Sequence, residues 1–200
     1  ILAIAESGDY AFNGAKGNKS ALDFMAVYSR HIADYICEGV KADDYSHPLK
    51  GMHIIVDAGN GNGGFFQKIL SSLGADTEGS QFLEPDGHFP NHIPNPEDRD
   101  AMASVCKAVE DSGADLGVIF DTDVDRSAII GRKGEPTNRN ALIALIASVI
   151  LEEHPGSTIV TDSVTSDGLA EFISEKGGRH HRFRRGYKNV INEGIRLNAN

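Results

Sequence analysis

The stretch that most limits what this chain can become runs from Leu116 to Gly131, where two apolar runs flank Asp-Thr-Asp-Val-Asp-Arg. Leu116 to Phe120 reads as a strand that delivers Asp121, Asp123 and Asp125 at alternate positions, and Arg126 follows at once. Ala128 to Ile130 then carries the chain away. Two carboxylates about 4 Å apart repel by roughly 4 kcal/mol at an effective dielectric near 20. Three that converge on one point need a cation to hold them there. Oxygen ligands without Cys or His favour Mg²⁺, Ca²⁺ or Mn²⁺ over zinc. An isolated Asp-x-Asp is more simply an exposed acidic turn, but the third Asp and the strand-like runs on both sides favour a metal loop. An EF-hand needs Gly at its sixth position and Glu at its twelfth. Arg126 and Arg132 stand there.

The elements around this loop set the fold class. Residues 1–18 mix Gly, Ala, Asn and Ser without periodicity and read as a loose lead-in. From Ser20 the spacing is helical, with Leu22, Met25, Ser29, Ile32 and Ile36 on one stripe, Phe24, Tyr28 and Tyr35 beside it, and Gly39 as the stop. Met52 to Asp57 reads as a buried strand, 58–64 as a tight turn, Phe65 to Leu73 as a helix ended by Gly74, and 75–83 as a weaker strand. Four prolines make 84–96 irregular. Asn95 reads as a helix cap with Pro96 in the first position, Met102, Val105, Cys106 and Val109 continue that helix, and Gly113 closes it. The acidic loop then lies at the carboxyl end of a third strand, where open α/β sheets place their ligands.

After Gly134-Glu135-Pro136 the pattern restarts: helix from Asn138 to Glu153, strand Thr158 to Thr161, helix Ser166 to Lys176, basic strand Arg179 to Arg185, helix Tyr187 to Leu197. The expected class is α/β, as two successive α/β units with small mixed sheets flanked by helices, the second truncated. The expected divisions are 1–18, 19–135 and 136–200.

Bulk properties narrow the partners. Two hundred residues with 40% hydrophobic content build a sizeable core in one or two domains. A formal net charge of −10 argues against nucleic acid or an anionic membrane as partner. No apolar stretch approaches the roughly 20 residues that span a bilayer; 142–151 suits a buried helix instead. Cys37 and Cys106 read as buried free thiols in a reducing compartment, which points to the cytoplasm and leaves an organelle open. The chain opens Ile-Leu-Ala-Ile with no Met and nothing like a secretory signal, so a fragment or processed product is expected.

Two further motifs have more than one reading. Gly59-x-Gly61-x-x-Gly64 satisfies a dinucleotide fingerprint literally, with Asp76 or Glu78 near the distance for a ribose contact. Asp57 before the turn would set negative charge near a pyrophosphate, and Asn60 and Asn62 also suit a turn with positive φ, so the structural reading is preferred. Residues 179–188 hold five Arg or Lys and no acid. They read either as a charge-protected edge strand or as an anion site where Gly186 and a helix start join the cations. His53, His88 and His92 lack ligand spacing and read as turn or surface histidines.

Together, Val56-Asp-Ala-Gly-Asn-Gly61, Asp121-Thr-Asp-Val-Asp-Arg126 and Arg185-Gly-Tyr-Lys188 follow the order found in the α-D-phosphohexomutases, which this sequence resembles from about Ser20 to Asn200. The resemblance corresponds to the second domain and the first part of the third. It implies that Asp121, Asp123 and Asp125 bind Mg²⁺, whose remaining ligand is a phosphoserine on another domain, and that Arg126 lies beside that phosphoryl group. It implies a sugar phosphate substrate converted through a bisphosphorylated intermediate, with Arg185, Gly186 and Tyr187 at the sugar and Lys188 as a proton-transfer or orienting group. Mg²⁺ and Arg offset charge on the transferring group, and positioning supplies much of the rest.

Departures matter too. The family's acidic loop has small residues where Thr122 and Val124 stand, so a different loop shape is expected. Val164 occupies a place where some relatives carry Lys. The family's serine nucleophile loop, its later Glu-x-Ser-Gly-His sugar loop and its last phosphate-binding domain do not occur in these residues. The missing domains are therefore expected partners, and the isolated chain is expected to be inactive. The competing classes are a haloacid-dehalogenase-type phosphatase and a non-catalytic metal- or phosphate-binding module. The strand returning straight after Arg126 argues against the phosphatase.

Overall fold

The computed structural model describes residues 1–8, 10, 14, 17–40, 42 and 44–199. The apolar run before the first glycine turn forms β1 (Ile54–Asp57), buried at every position. The run before the acidic loop forms β2 (Leu116–Phe120), and the one after it forms β3 (Ser127–Gly131). β1 pairs in parallel with β2, Asp57 opposite Ile119, and β2 pairs antiparallel with β3, Phe120 opposite Ser127. A mixed sheet of order β1-β2-β3 results.

Successive strand residues face opposite sides, and the two cores divide accordingly. Ile54 and Val56 join Leu49, Leu70, Leu73 and Phe120 in one core. That core is covered by α2 (Phe24–Gly39), through Ile32 and Ile36, and by α3 (Gly64–Ser72). Ile55 joins Ile119, Ile130, Val105 and Val109 in the other, under α4 (Arg99–Ser112). Gly117 lets α4 approach, since a Cβ there would lie 2.5 Å from Val109 Cγ2.

Several expectations change. The lead-in contains a short helix, α1 (Leu2–Ser7); the remaining residues of 1–18 are described only at 1, 8, 10, 14, 17 and 18. On α2 only the Ile32–Ile36 part of the stripe packs; Leu22, Phe24, Met25, Tyr28 and Tyr35 are exposed. Segment 75–83 forms only two isolated bridges here, Asp76 with His53 just before β1 and Gln81 with Asp57 at its end. A turn at Glu78-Gly79, with Gly79 at φ 87, interrupts it, and Ser80 Oγ accepts the Val56 N–H between the bridges at 3.0 Å. Helix α4 starts three residues later than Asn95 suggests: Asp98 is the cap, and its side chain accepts from Asp100 and Ala101 N–H groups, both at 3.0 Å. Asn95 instead forms a local turn, accepting the Glu97 N–H at 3.1 Å. Cys37 and Cys106 are free and half-buried, not fully buried.

In the second half α5 (Arg139–Glu153), capped by Asn138, precedes β4 (Thr158–Thr161). α6 (Asp167–Glu175) then crosses over to β5 (Arg179–Arg182), parallel to β4, and α7 (Tyr187–Leu197) follows. Ala147, Leu151, Ile159, Leu169 and Ile173 form this core. Helix α5 is apolar on every side, so Leu145, Ile146 and Val149 remain exposed. No helix among the described residues is long and apolar enough to cross a membrane.

Glu193, on α7, faces His181 of β5. It is buried, takes Arg196 Nε and Nη2 at 2.8 and 2.7 Å, and has His181 Nε2 2.9 Å from Oε1. The Arg196 bonds hold its carboxyl below the usual glutamate range. A depressed folded-state pKa contributes stability above the unfolded value that is lost as pH falls through the folded one. The thermal midpoint of Glu193→Gln is therefore expected below wild type at neutral pH, with the gap closing as the buffer is acidified below the glutamate range. A gap that widens in acid contradicts this.

Candidate metal centre

The hairpin β2–β3 presents six residues, 121–126, between its last paired positions. Its base closes on itself: Asp121 N donates to Arg126 O at 3.1 Å, and Arg126 N donates to Asp121 Oδ1 at 3.0 Å. Arg126 Nε then donates to Asp121 Oδ2 at 2.8 Å, and Asp125 Oδ1 lies 3.5 Å from the same nitrogen. Asp121 is fully buried, while Asp123 and Asp125 are exposed. Between these two, Val124 takes φ 67, a left-handed conformation that a β-branched residue adopts at a cost of about 1–3 kcal/mol. Its half-buried side chain packs on the first core, which helps offset that cost. So the departure at Val124 leaves a sharp turn in place, stabilised by packing.

One oxygen from each of Asp121, Asp123 and Asp125 lies within 4.8 Å of the others. Opposite ligands of an octahedral Mg²⁺ are about 4.2 Å apart, so small rotations of the two exposed side chains suffice. The all-carboxylate donor set fits a hard divalent cation. Burial alone pushes the Asp121 carboxyl up, but hydrogen bonds from the Arg126 backbone and from Asp125 and Arg126 side chains hold it below the usual range. Asp125 is pushed up, by its contact with Asp121 and then by the charges of Asp123 and Asp121. Asp121 raises the Arg126 guanidinium in turn. Where Asp125 is protonated, a metal must displace that proton. Mn²⁺ affinity is accordingly expected to begin falling above the ordinary aspartate range as pH is lowered; a titration flat through that range contradicts it.

The other sequence-selected residues surround a second opening. Arg185, Gly186 and Tyr187 line a pocket of about 930 Å³ with Thr137, Arg139 and Val164. Gly186 has φ 117 and precedes α7 without a side-chain cap, and Tyr187 is 84% exposed. Lys188 is not on that wall. Among the described residues Arg184, Arg185 and Lys188 have no carboxylate partner, and Arg184 lies over the Phe183 ring at 5.7 Å. Of residues 179–188, Arg179–Arg182 form the strand β5, and among the later cations Arg185 lines the pocket. Asp125 and Arg126 line a separate groove of about 500 Å³. Thr137 and Arg139 border both openings, and Arg139 pairs with Glu97.

Sequence reasoning missed Asp57 and His92. His92, read as a turn or surface histidine, is buried against the fully buried Asp57. An acid ending an apolar strand was the available signal, because a buried carboxylate requires hydrogen-bonding partners. The glycines of the turn allow close backbone packing. A Cβ on Gly61 would lie 2.9 Å from Thr122 O, and one on Gly64 2.0 Å from Leu83 O. Asp76 caps its own turn, accepting the Glu78 N–H at 3.0 Å.

Comparison with known proteins places these features in one family. Residues 26–134 match the model of phosphoglucomutase/phosphomannomutase α/β/α domain II, and 138–200 match that of domain III. The chain belongs to the phosphoglucomutase/phosphomannomutase family. A phosphoglucomutase of Neisseria meningitidis serogroup B is 30% identical over 180 residues, covering 90% of this chain and 37% of that protein. A phosphomannomutase/phosphoglucomutase of Pseudomonas syringae pv. tomato is 31% identical over 179 residues, 89% of this chain and 36% of that protein. A crystal structure of a family protein from Burkholderia thailandensis superposes with TM-score 0.80 at 25% identity, over 99% of this chain and 40% of that one. The chain thus spans little more than a third of the curated relatives it matches.

Proposed function

We propose that these residues are the metal-loop domain, 19–135, and part of the sugar-binding domain, 136–200, of a Mg²⁺-dependent phosphohexomutase. The reaction interconverts hexose 1-phosphate and hexose 6-phosphate through a phosphoserine enzyme and a bisphosphorylated sugar. The observation that supports this most is the convergence of three Asp oxygens on an arginine-anchored hairpin, in a chain of this family.

Asp121, Asp123 and Asp125 would hold Mg²⁺, which when bound supplies positive charge against a transferring phosphoryl group. Asp121 orients Arg126 through Nε, leaving most of the guanidinium exposed toward the groove, where it can take phosphoryl oxygens. Arg185, Gly186 and Tyr187 would receive the sugar phosphate in the adjoining pocket, with Lys188 nearby on α7 as an orienting or proton-transfer group. The immediate antiparallel return of β3 does not favour the phosphatase reading.

The test is conversion of glucose 1-phosphate or mannose 1-phosphate by the native polypeptide that carries these residues, with Mg²⁺ and catalytic hexose 1,6-bisphosphate. Turnover is expected, and Asp123→Asn is expected to lower kcat by about a hundredfold or more. A folded native protein that converts neither sugar refutes the reading. The 200-residue chain alone is expected to show no turnover.

A further inference from the structure

We propose that Asp57 is a positioning residue for the metal loop, a buried carboxylate that ties together the segments packed around residues 121–126. The proposal rests on the metal-loop reading above. Asp57 ends β1 and pairs in register with Ile119, two residues before Asp121. It is fully buried, and three separate segments reach it. Gly59 N donates to Oδ1 at 2.8 Å, Gln81 Nε2 donates to Oδ2 at 2.7 Å, and His92 Nε2 lies 3.1 Å from both oxygens. A carboxylate without water needs such partners, so each bond fixes where its segment lies.

Two of these segments touch the loop. In the turn that Gly59 opens, Asn62 N donates to Thr122 O at 3.0 Å, and Gly61 packs so closely that a Cβ would stand 2.9 Å from the same oxygen. In the segment that His92 opens, Asn95 Oδ1 lies 3.5 Å from Arg126 Nη1. The loop is thus backed on one side by the glycine turn and met on another by Asn95, and both supports are pinned to Asp57. The third segment reaches toward α4, where Gln81 Nε2 is 2.8 Å from Ser104 Oγ. His92 Nδ1 faces the Ile93 carbonyl at 3.0 Å, so both ring nitrogens face acceptors. The edge-on contact with Phe82, 5.3 Å between centroids, holds the ring plane.

Asp57→Asn keeps the side-chain shape but turns an NH₂ toward Gln81 or His92, both donors. Mn²⁺ is the probe, read by electron paramagnetic resonance well below the thermal midpoint, with circular dichroism reporting the fold. Outer supports of a metal site change its affinity by about 10–100-fold, and a loss of about tenfold is expected for Asp57→Asn. Gly61→Ala leaves Asp57 intact but pushes the turn off Thr122, and it is expected to weaken Mn²⁺ binding in the same direction by a smaller factor. If Asp57→Asn does not fold, His92→Leu, which removes the contact from residue 92 to both Asp57 oxygens, takes its place and is expected to weaken Mn²⁺ binding in the same direction. A purely structural role would lower the midpoint and leave the folded-state affinity unchanged, so wild-type affinity in the folded variants overturns the proposal. A wild-type chain that binds no Mn²⁺ instead overturns the metal-loop reading beneath it.

Discussion

Asp121→Ala is expected to abolish Mn²⁺ binding, to lower kcat of the native protein about a thousandfold, and to lower the thermal midpoint as well. Asp121 is at once a candidate ligand and the base of the hairpin. Its Oδ1 accepts the Arg126 backbone N–H and its Oδ2 accepts Arg126 Nε. Removing the carboxylate strands the Arg126 backbone donor at a part-buried position, so the cost falls toward the lower end of about 1–3 kcal/mol. The guanidinium is 58% exposed, so water recovers most of its loss. Asp123→Asn makes the useful contrast. Asp123 is exposed, and its charge repels Asp125. Neutralising it should remove a ligand while leaving the midpoint unchanged or slightly raised. Equal midpoint losses in both variants would contradict this division of roles.

Gly64→Ala is the second large effect, and it acts on the fold. Gly64 begins α3 beneath the glycine turn and is buried. A Cβ would stand 2.0 Å from Leu83 O, a backbone atom that no rotamer change can move. Overpacking costs typically about 1–3 kcal/mol and sometimes more, and this clash belongs at or above the upper end. At about 2–4 °C per kcal/mol for a chain of this size, the midpoint should fall by about 6–12 °C or more. A shift within the error of the measurement would show that segment 82–83 can yield, and that the glycine answers to the turn alone. Because this turn also supports Thr122, metal affinity should fall with it.

The sheet around the metal loop was legible because its strands are uninterrupted apolar runs. Ile54–Asp57 and Leu116–Phe120 leave little choice of period, although the first begins two residues after Met52. The alternate aspartates were legible for the same reason, since a strand ending and a strand resuming set the loop length. What the sequence hid depends on contacts between distant residues. His92 is 35 residues from Asp57, and no local spacing reveals that pair. The start of α4 was misjudged because Asn95 and Asp98 are both good caps. The structure uses Asn95 in a turn beside Arg126 and leaves the helix to Asp98. On α2, helical spacing showed a periodic apolar face, but neighbours decide which part is buried, and it is the part around Ile32, Ala33, Ile36 and Cys37 that packs on the core. Val124 at positive φ was equally hidden, because residue type argues against that conformation and only its packing explains it.

The central claim is that Asp121, Asp123 and Asp125 share one divalent cation. Its most direct test is anomalous diffraction from crystals of the protein grown with Mn²⁺. A single peak about 2.0–2.3 Å from one oxygen of each carboxylate is expected, with Arg126 Nε still donating to Asp121. An empty loop at saturating Mn²⁺, or a peak that omits Asp121, would contradict the account.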